Sequence, residues 1–187
     1  QGLEKEVPQA ARTLLESNVK DEIKHDLALG FIVESHGADP IAEMEAIKLR
    51  DAWIQHPDHT ITKALVAERA IFFVLLPMFR FLGDAALRTV SADISRDEQI
   101  HVATNSLVCR ELGLVPSNSL DKLRKATISW VLQPLKTSPD KHLDKSFWLD
   151  ASDRLMYEGK APQFADTKAA RMPAFFEHAN TNLPQYA

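Results

Sequence analysis

Glu22-Ile23-Lys24-His25 and Glu98-Gln99-Ile100-His101 each space a carboxylate and an imidazole three residues apart, in stretches that read as apolar helices. On a helix this spacing brings both side chains to one face. A third carboxylate, Glu68, is set in Ala64-Leu65-Val66-Ala67-Glu68-Arg69-Ala70-Ile71-Phe72-Phe73. Burying an ionised carboxylate on so apolar a helix costs several kcal/mol unless a cation is bound beside it. Pairing with Arg69 or Arg80 is the plainer way to meet that cost. The richer one is a helical bundle whose core holds two metal ions. Such a bundle takes Glu-x-x-His from two helices and one Glu from each of two others. Glu22, His25, Glu68, Glu98 and His101 are five of those six ligands. Glu4 and Glu6, the only carboxylates ahead of Ala10, have too little chain around them for a full bundle helix. The expectation is that the first helix of the bundle lies upstream of Gln1. Asp150 and Asp153 are outside candidates for the sixth ligand.

The rest of the chain is punctuated as helices joined by short connectors. Leu15, Val19, Ile23, Leu27, Leu29 and Phe31 recur at helical spacing up to Gly37. Asp39-Pro40 opens a second helix, with Pro40 in its first turn, that runs to about Gln55. Thr60 or Thr62 opens a third, reaching about Phe81, in which Pro77 should kink or bulge the ladder. Gly83-Asp84 separates it from a fourth that ends at Leu112-Gly113. Ser119 or Asp121 should cap a fifth, bent or ended by Pro134, and Lys145 to Tyr157 forms a sixth. No strand pattern or internal repeat interrupts this series, so the class is all-α. Residues 1–158 form the bundle and 159–187 an extended tail with one short helical turn.

Composition narrows the function. The net charge is −4 and there is no extended Lys/Arg cluster, which argues against nucleic acid or an anionic membrane as main partner. The short basic run Lys122, Arg124 and Lys125 reads as a solvated face. The single cysteine, Cys109, excludes an internal disulfide framework and reads as a small core residue. The longest apolar run, Ala70 to Met78, is too short for a transmembrane helix, and no signal peptide is visible. Both features fit a cytoplasmic setting. His36, His56, His59, His142 and His178 lie in turns or the tail, where solvent exposure is the simplest expectation. Trp53, Trp130 and Trp148 read as core or interface.

Ile94-Ser95-Arg96-Asp97-Glu98-Gln99-Ile100-His101 resembles the I-S-R-D-E-x-x-H signature of ribonucleotide reductase small subunits, members of the ferritin-like superfamily. Val66-Ala67-Glu68-Arg69-Ala70-Ile71-Phe72-Phe73 is similar to the segment on that family's preceding ligand helix, and Glu22-x-x-His25 to its earlier Glu-x-x-His helix. Ala174-Phe175-Phe176-Glu177 weakly resembles a segment near the end of the family's folded core. The resemblance covers about residues 14 to 113 well. It implies a ferritin-like bundle with a di-metal carboxylate site, holding two Fe ions or Mn and Fe on Glu22, His25, Glu68, Glu98 and His101. It further implies a homodimer that uses O2 to generate an oxidant for deoxyribonucleotide synthesis by a large catalytic subunit. Asp97 would accept a hydrogen bond from a ligand histidine. Leu29, Phe72 and Ile94 would wall the pocket. One departure is chemical: the family's radical tyrosine falls at Leu29, and the only tyrosines are Tyr157 and Tyr186. Tyr186 resembles a tail tyrosine that relays an electron to the large subunit. Two other readings follow from the departure: a di-metal oxidase or oxygenase acting on its own small substrate, or a non-catalytic, shortened homologue.

Overall fold

The computed structural model describes Val7 and residues 9–164. Seven α-helices follow one another: α1 Gln9–His36, α2 Pro40–Gln55, α3 Thr60–Ala67, α4 Phe73–Leu82, α5 Ala85–Glu111, α6 Asn118–Val131 and α7 Lys145–Glu158. A π-turn, Glu68–Phe72, joins α3 to α4 without breaking the rod. Among the described residues no strand forms, and the class is all-helical as expected. No helix among them is long and apolar enough to cross a membrane.

Short polar residues set the helix starts. The Asp39 carboxylate accepts from Ile41 N at 2.9 Å ahead of Pro40, and that of Asp84 accepts from Leu87 N at 2.9 Å. Ser117 caps α6 by accepting from Leu120 N at 3.2 Å, so the helix begins before the expected caps Ser119 and Asp121. His59 caps α3 through its ring Nδ1. At the end of α5, Gly113 takes φ +64, which lets Leu114 N reach back to Cys109 O at 2.8 Å.

The irregularity expected at Pro77 lies one turn earlier. Pro77 sits inside α4 and has no N–H to offer the preceding turn. The ladder instead widens over Glu68–Phe72, where Phe73 N–H bonds to the Glu68 carbonyl. This inserts one extra residue into the rod at the position of the third carboxylate.

Helix α5 is central, with α1, α3 and α4 packed along it. Its buried face is unusually polar, carrying Ser91, Ser95, Glu98, His101, Thr104 and Asn105. Two apolar clusters flank this seam. One joins Val7, Ala11, Ile61, Leu65, Val108 and Cys109. The other joins Ile71 and Val74 to Ile128 and Leu132 of α6 and Trp148, Ala151 and Leu155 of α7. Ala161 and Phe164 fold back onto this second cluster, so the chain beyond residue 158 begins as packed structure rather than extended tail. Helix α2 buries no residue and is tied to α6 by Trp53 Nε1–H to Thr127 Oγ1 at 2.9 Å and Trp130 Nε1–H to Glu45 Oε2 at 2.6 Å.

Three expectations about side chains are corrected. Arg124, read as part of a solvated face, is fully buried, because α7 closes over it and supplies its partners. His142, read as exposed, stacks on Phe81 with ring centroids 3.9 Å apart. His56 and His59 are half-buried at the α2–α3 corner. Glu4, Glu6, His178, Tyr186 and 174–177 lie outside the described residues.

Candidate metal centre

Glu22, Glu68, Glu98 and His101 each bring one ligand atom within 4.8 Å of the others. They come from α1, the π-turn and α5. Glu68, Glu98 and His101 are buried, while the Glu22 side chain remains 43% exposed. His25 joins them from α1, with Nδ1 at 3.4 Å from Glu98 Oε1 and 3.7 Å from Glu22 Oε2. All five residues singled out in the sequence therefore converge. Asp150 and Asp153 do not: Asp150 pairs with Arg154 and Asp153 with Arg124. Glu68 Oε2 accepts from Asn105 Nδ2 at 2.7 Å, and Arg80 donates to Ser95.

The two histidines are oriented crosswise. His25 Nε2 donates to Asp97 Oδ2 on α5 at 3.1 Å. His101 Nε2 faces Asp21 Oδ2 on α1 at 3.6 Å. His25 is thus held by the aspartate that precedes the glutamate of α5, whereas His101 Nε2 faces the aspartate that precedes the glutamate of α1 but is buried without a hydrogen-bond partner. Asp97 was readable as such a partner; Asp21 was not singled out. The signal for it was the repetition of Asp-Glu-x-x-His at residues 21–25 and 97–101.

This orientation fits a bound cation. A carboxylate only accepts, so the proton of neutral His25 sits on Nε2, toward Asp97. Nδ1 then turns a lone pair toward two carboxylates. His25 Nδ1 and both Glu98 oxygens are buried without a hydrogen-bond partner. Lone pairs crowded in this way repel one another unless a positive charge sits among them. The titration of the cluster points the same way. Burial, chiefly, pushes the Glu68 carboxyl up to about 8, against the pull of Asn105. Burial opposes the charged form of His101. Its hydrogen bond to Glu22 and the nearby charges of Glu98 and Glu68 outweigh that and raise it to about 10. Glu68 and His101 are thus both biased toward their protonated forms. Mixed carboxylate and imidazole donors suit iron and manganese.

Two cavities flank the cluster in the groove between α1 and α3–α4. The larger, about 520 Å³, opens on Glu22, His25 and Glu98. Leu29, Phe72 and Ile94 line it, with Leu75, Leu76 and Phe79. The smaller, about 370 Å³, shares Glu22 and Phe72 and reaches Glu68 and Asn105. Compared with protein-family models, curated proteins and solved structures, the chain matches none of them.

Proposed function

We propose that this chain is a ferritin-like, di-metal oxidoreductase similar to the small subunit of a class I ribonucleotide reductase. One observation carries the proposal: five donor residues from three separate segments converge, with buried lone pairs facing one another. Glu22, His25, Glu68, Glu98 and His101 would hold two Fe ions, or Mn and Fe. When bound, such a pair supplies the redox chemistry that reduces O2 and yields a strong oxidant. A sixth ligand, a carboxylate or water, would complete the set. Asp97 holds the His25 imidazole in place, Asp21 faces that of His101, and Phe72, Ile94 and Leu29 wall the cavity beside the cluster. The partner of this reading is a ribonucleotide reductase large subunit. A homodimer is supported by Val19, Ile23, Leu27 and Phe31, an apolar stripe on α1 exposed by 60% or more at each position.

With Leu29 in the tyrosine's place, no phenol among the described residues lines the larger cavity, and Tyr157 of α7 donates to Asp121 of α6. This cavity favours a second reading, an oxidase or oxygenase whose own apolar substrate lies beside Leu29. Extraction and mass spectrometry of the purified protein separates the two: a stoichiometric apolar ligand supports the oxidase, and binding of a large subunit supports the reductase.

The direct test is elemental analysis after anaerobic loading with Fe(II), Mn(II) or both. About two metals per chain, with O2-dependent optical and EPR changes, is the expected result. A folded chain without metal would overturn the catalytic reading and leave the non-catalytic homologue.

A further inference from the structure

Arg124 and Ser152 lie outside the carboxylate cluster, and both are wholly buried. Burying a guanidinium is expensive, and an apolar side chain of similar volume would often serve stability as well or better. The partners of Arg124 indicate what the charge does. Its Nε donates to Asp121 at 2.8 Å and Nη2 to Asp153 at 2.6 Å. Its Nη1 donates to Ser152 Oγ at 2.6 Å, and Ser152 Oγ donates in turn to the Ala70 carbonyl at 2.6 Å. The direction of this chain is forced. Arginine only donates, so it occupies a lone pair of the hydroxyl and leaves the hydroxyl proton for Ala70. Ala70 lies inside the π-turn that begins at Glu68.

A π-turn holds one residue more than the α-helix around it, and it can slide along the rod. Moving the extra residue past Glu68 would rotate that side chain by about 100° about the helix axis, out of reach of Glu98 and His101. The register of the turn therefore decides whether the third carboxylate reaches the cluster. Apolar packing of Ile71 against Ile128 and Trp148 holds the segment but is not directional. A hydrogen bond to one particular carbonyl is.

We propose that Ser152, itself held by Arg124, is a positioning residue: by capturing the Ala70 carbonyl it fixes the register of the π-turn and hence the place of Glu68. The α6–α7 hairpin is on this account a brace for the ligand segment. A second contact on the same segment agrees with it. Arg69 lies against Gly159 at the end of α7, so close that a Cβ there would sit 2.3 Å from Arg69 Nη2.

The inference rests on the di-metal reading for its consequence, and the experiment separates the two. Ser152→Ala is compared with the native chain and with Thr127→Val, which removes the Trp53 hydrogen bond from the same hairpin. Amide hydrogen exchange of the metal-free protein over residues 68–73 is read first. Ser152→Ala is expected to speed it about tenfold or more, and Thr127→Val to leave it unchanged. Co(II) titration is read second. Ser152→Ala is expected to weaken binding ten- to a hundredfold and to alter the visible spectrum, with Thr127→Val matching the native chain. Arg124→Lys keeps the charge but cannot span Asp121, Ser152 and Asp153 together, and should move both readouts in the same direction. Unchanged exchange over 68–73 in Ser152→Ala, or an equal change in Thr127→Val, would overturn the positioning role. Absence of Co(II) binding in the native chain would instead overturn the di-metal reading, with the exchange arm still deciding this one.

Discussion

Glu68→Gln should stabilise the metal-free protein, and more so as the pH rises. The folded chain holds the Glu68 proton up to about 8, whereas the unfolded chain releases it near 4.5. Between those values the native state binds more protons than the unfolded state, so stability falls as the pH climbs. At 1.36 kcal/mol per unit, the loss between pH 5 and pH 9 is about 4 kcal/mol, and about 3 kcal/mol of the penalty is in place by pH 7. That is a large share of the 5–15 kcal/mol that a domain has in total. Glutamine keeps an oxygen for Asn105 Nδ2 but carries no charge. The variant should match the native chain at pH 5 and exceed it by about 4 kcal/mol, or about 10 °C in Tm, at pH 9. His101, raised to about 10, adds a slope of the same sign between 6.5 and 10 that the variant retains in part. Urea denaturation of chelator-treated protein at pH 5, 7 and 9 measures the difference. Parallel pH profiles for the two proteins would refute the assignment of the penalty to Glu68. The same substitution should cost metal binding, so that stability and ligation trade against each other at one side chain.

Asp21→Asn and Asp97→Asn should each weaken metal binding ten- to a hundredfold by calorimetric titration; an effect confined to Asp97 would show that the 3.6 Å approach of Asp21 to His101 does not orient the ring. Trp148→Ala should cost about 3–5 kcal/mol in urea unfolding, since the ring is fully buried where α4, α6 and α7 meet. Gly159→Ala should lower stability by about 1–2 kcal/mol, read as a fall in Tm, because the position takes φ +72.

The helix boundaries were readable where a residue is chemically committed to a turn. Asp39-Pro40, Gly83-Asp84 and Gly113 act through their own φ and side-chain acceptors, so local sequence suffices. The two Glu-x-x-His pairs are legible because i, i+3 spacing survives any arrangement of the helices. The π-turn is not, since one extra residue within Glu68–Phe72 leaves no mark on the apolar spacing of so short a segment. Arg124 was misread because it sits between two lysines and its burial depends on Ser152 and Asp153, 28 and 29 residues away. Asp21 is legible only as the repeat of Asp97 one motif earlier, and the geometry of α1 against α5 shows which imidazole it faces.

The crosswise holding of the two histidines has a mechanical consequence. Neither α1 nor α5 carries a self-sufficient half of the cluster, because His25 of α1 is held by Asp97 of α5 and His101 of α5 is held through Nδ1 by Glu22 of α1 at 3.1 Å. Sliding α1 along α5 by one turn, about 5.4 Å, would strand both histidines at once. On the di-metal reading, seating of α1 and uptake of cation would be a single linked equilibrium: whatever binds the seated form would draw α1 down by its own mass action. A chain emptied of metal should loosen first along this one seam, while the α6–α7 hairpin stays shut.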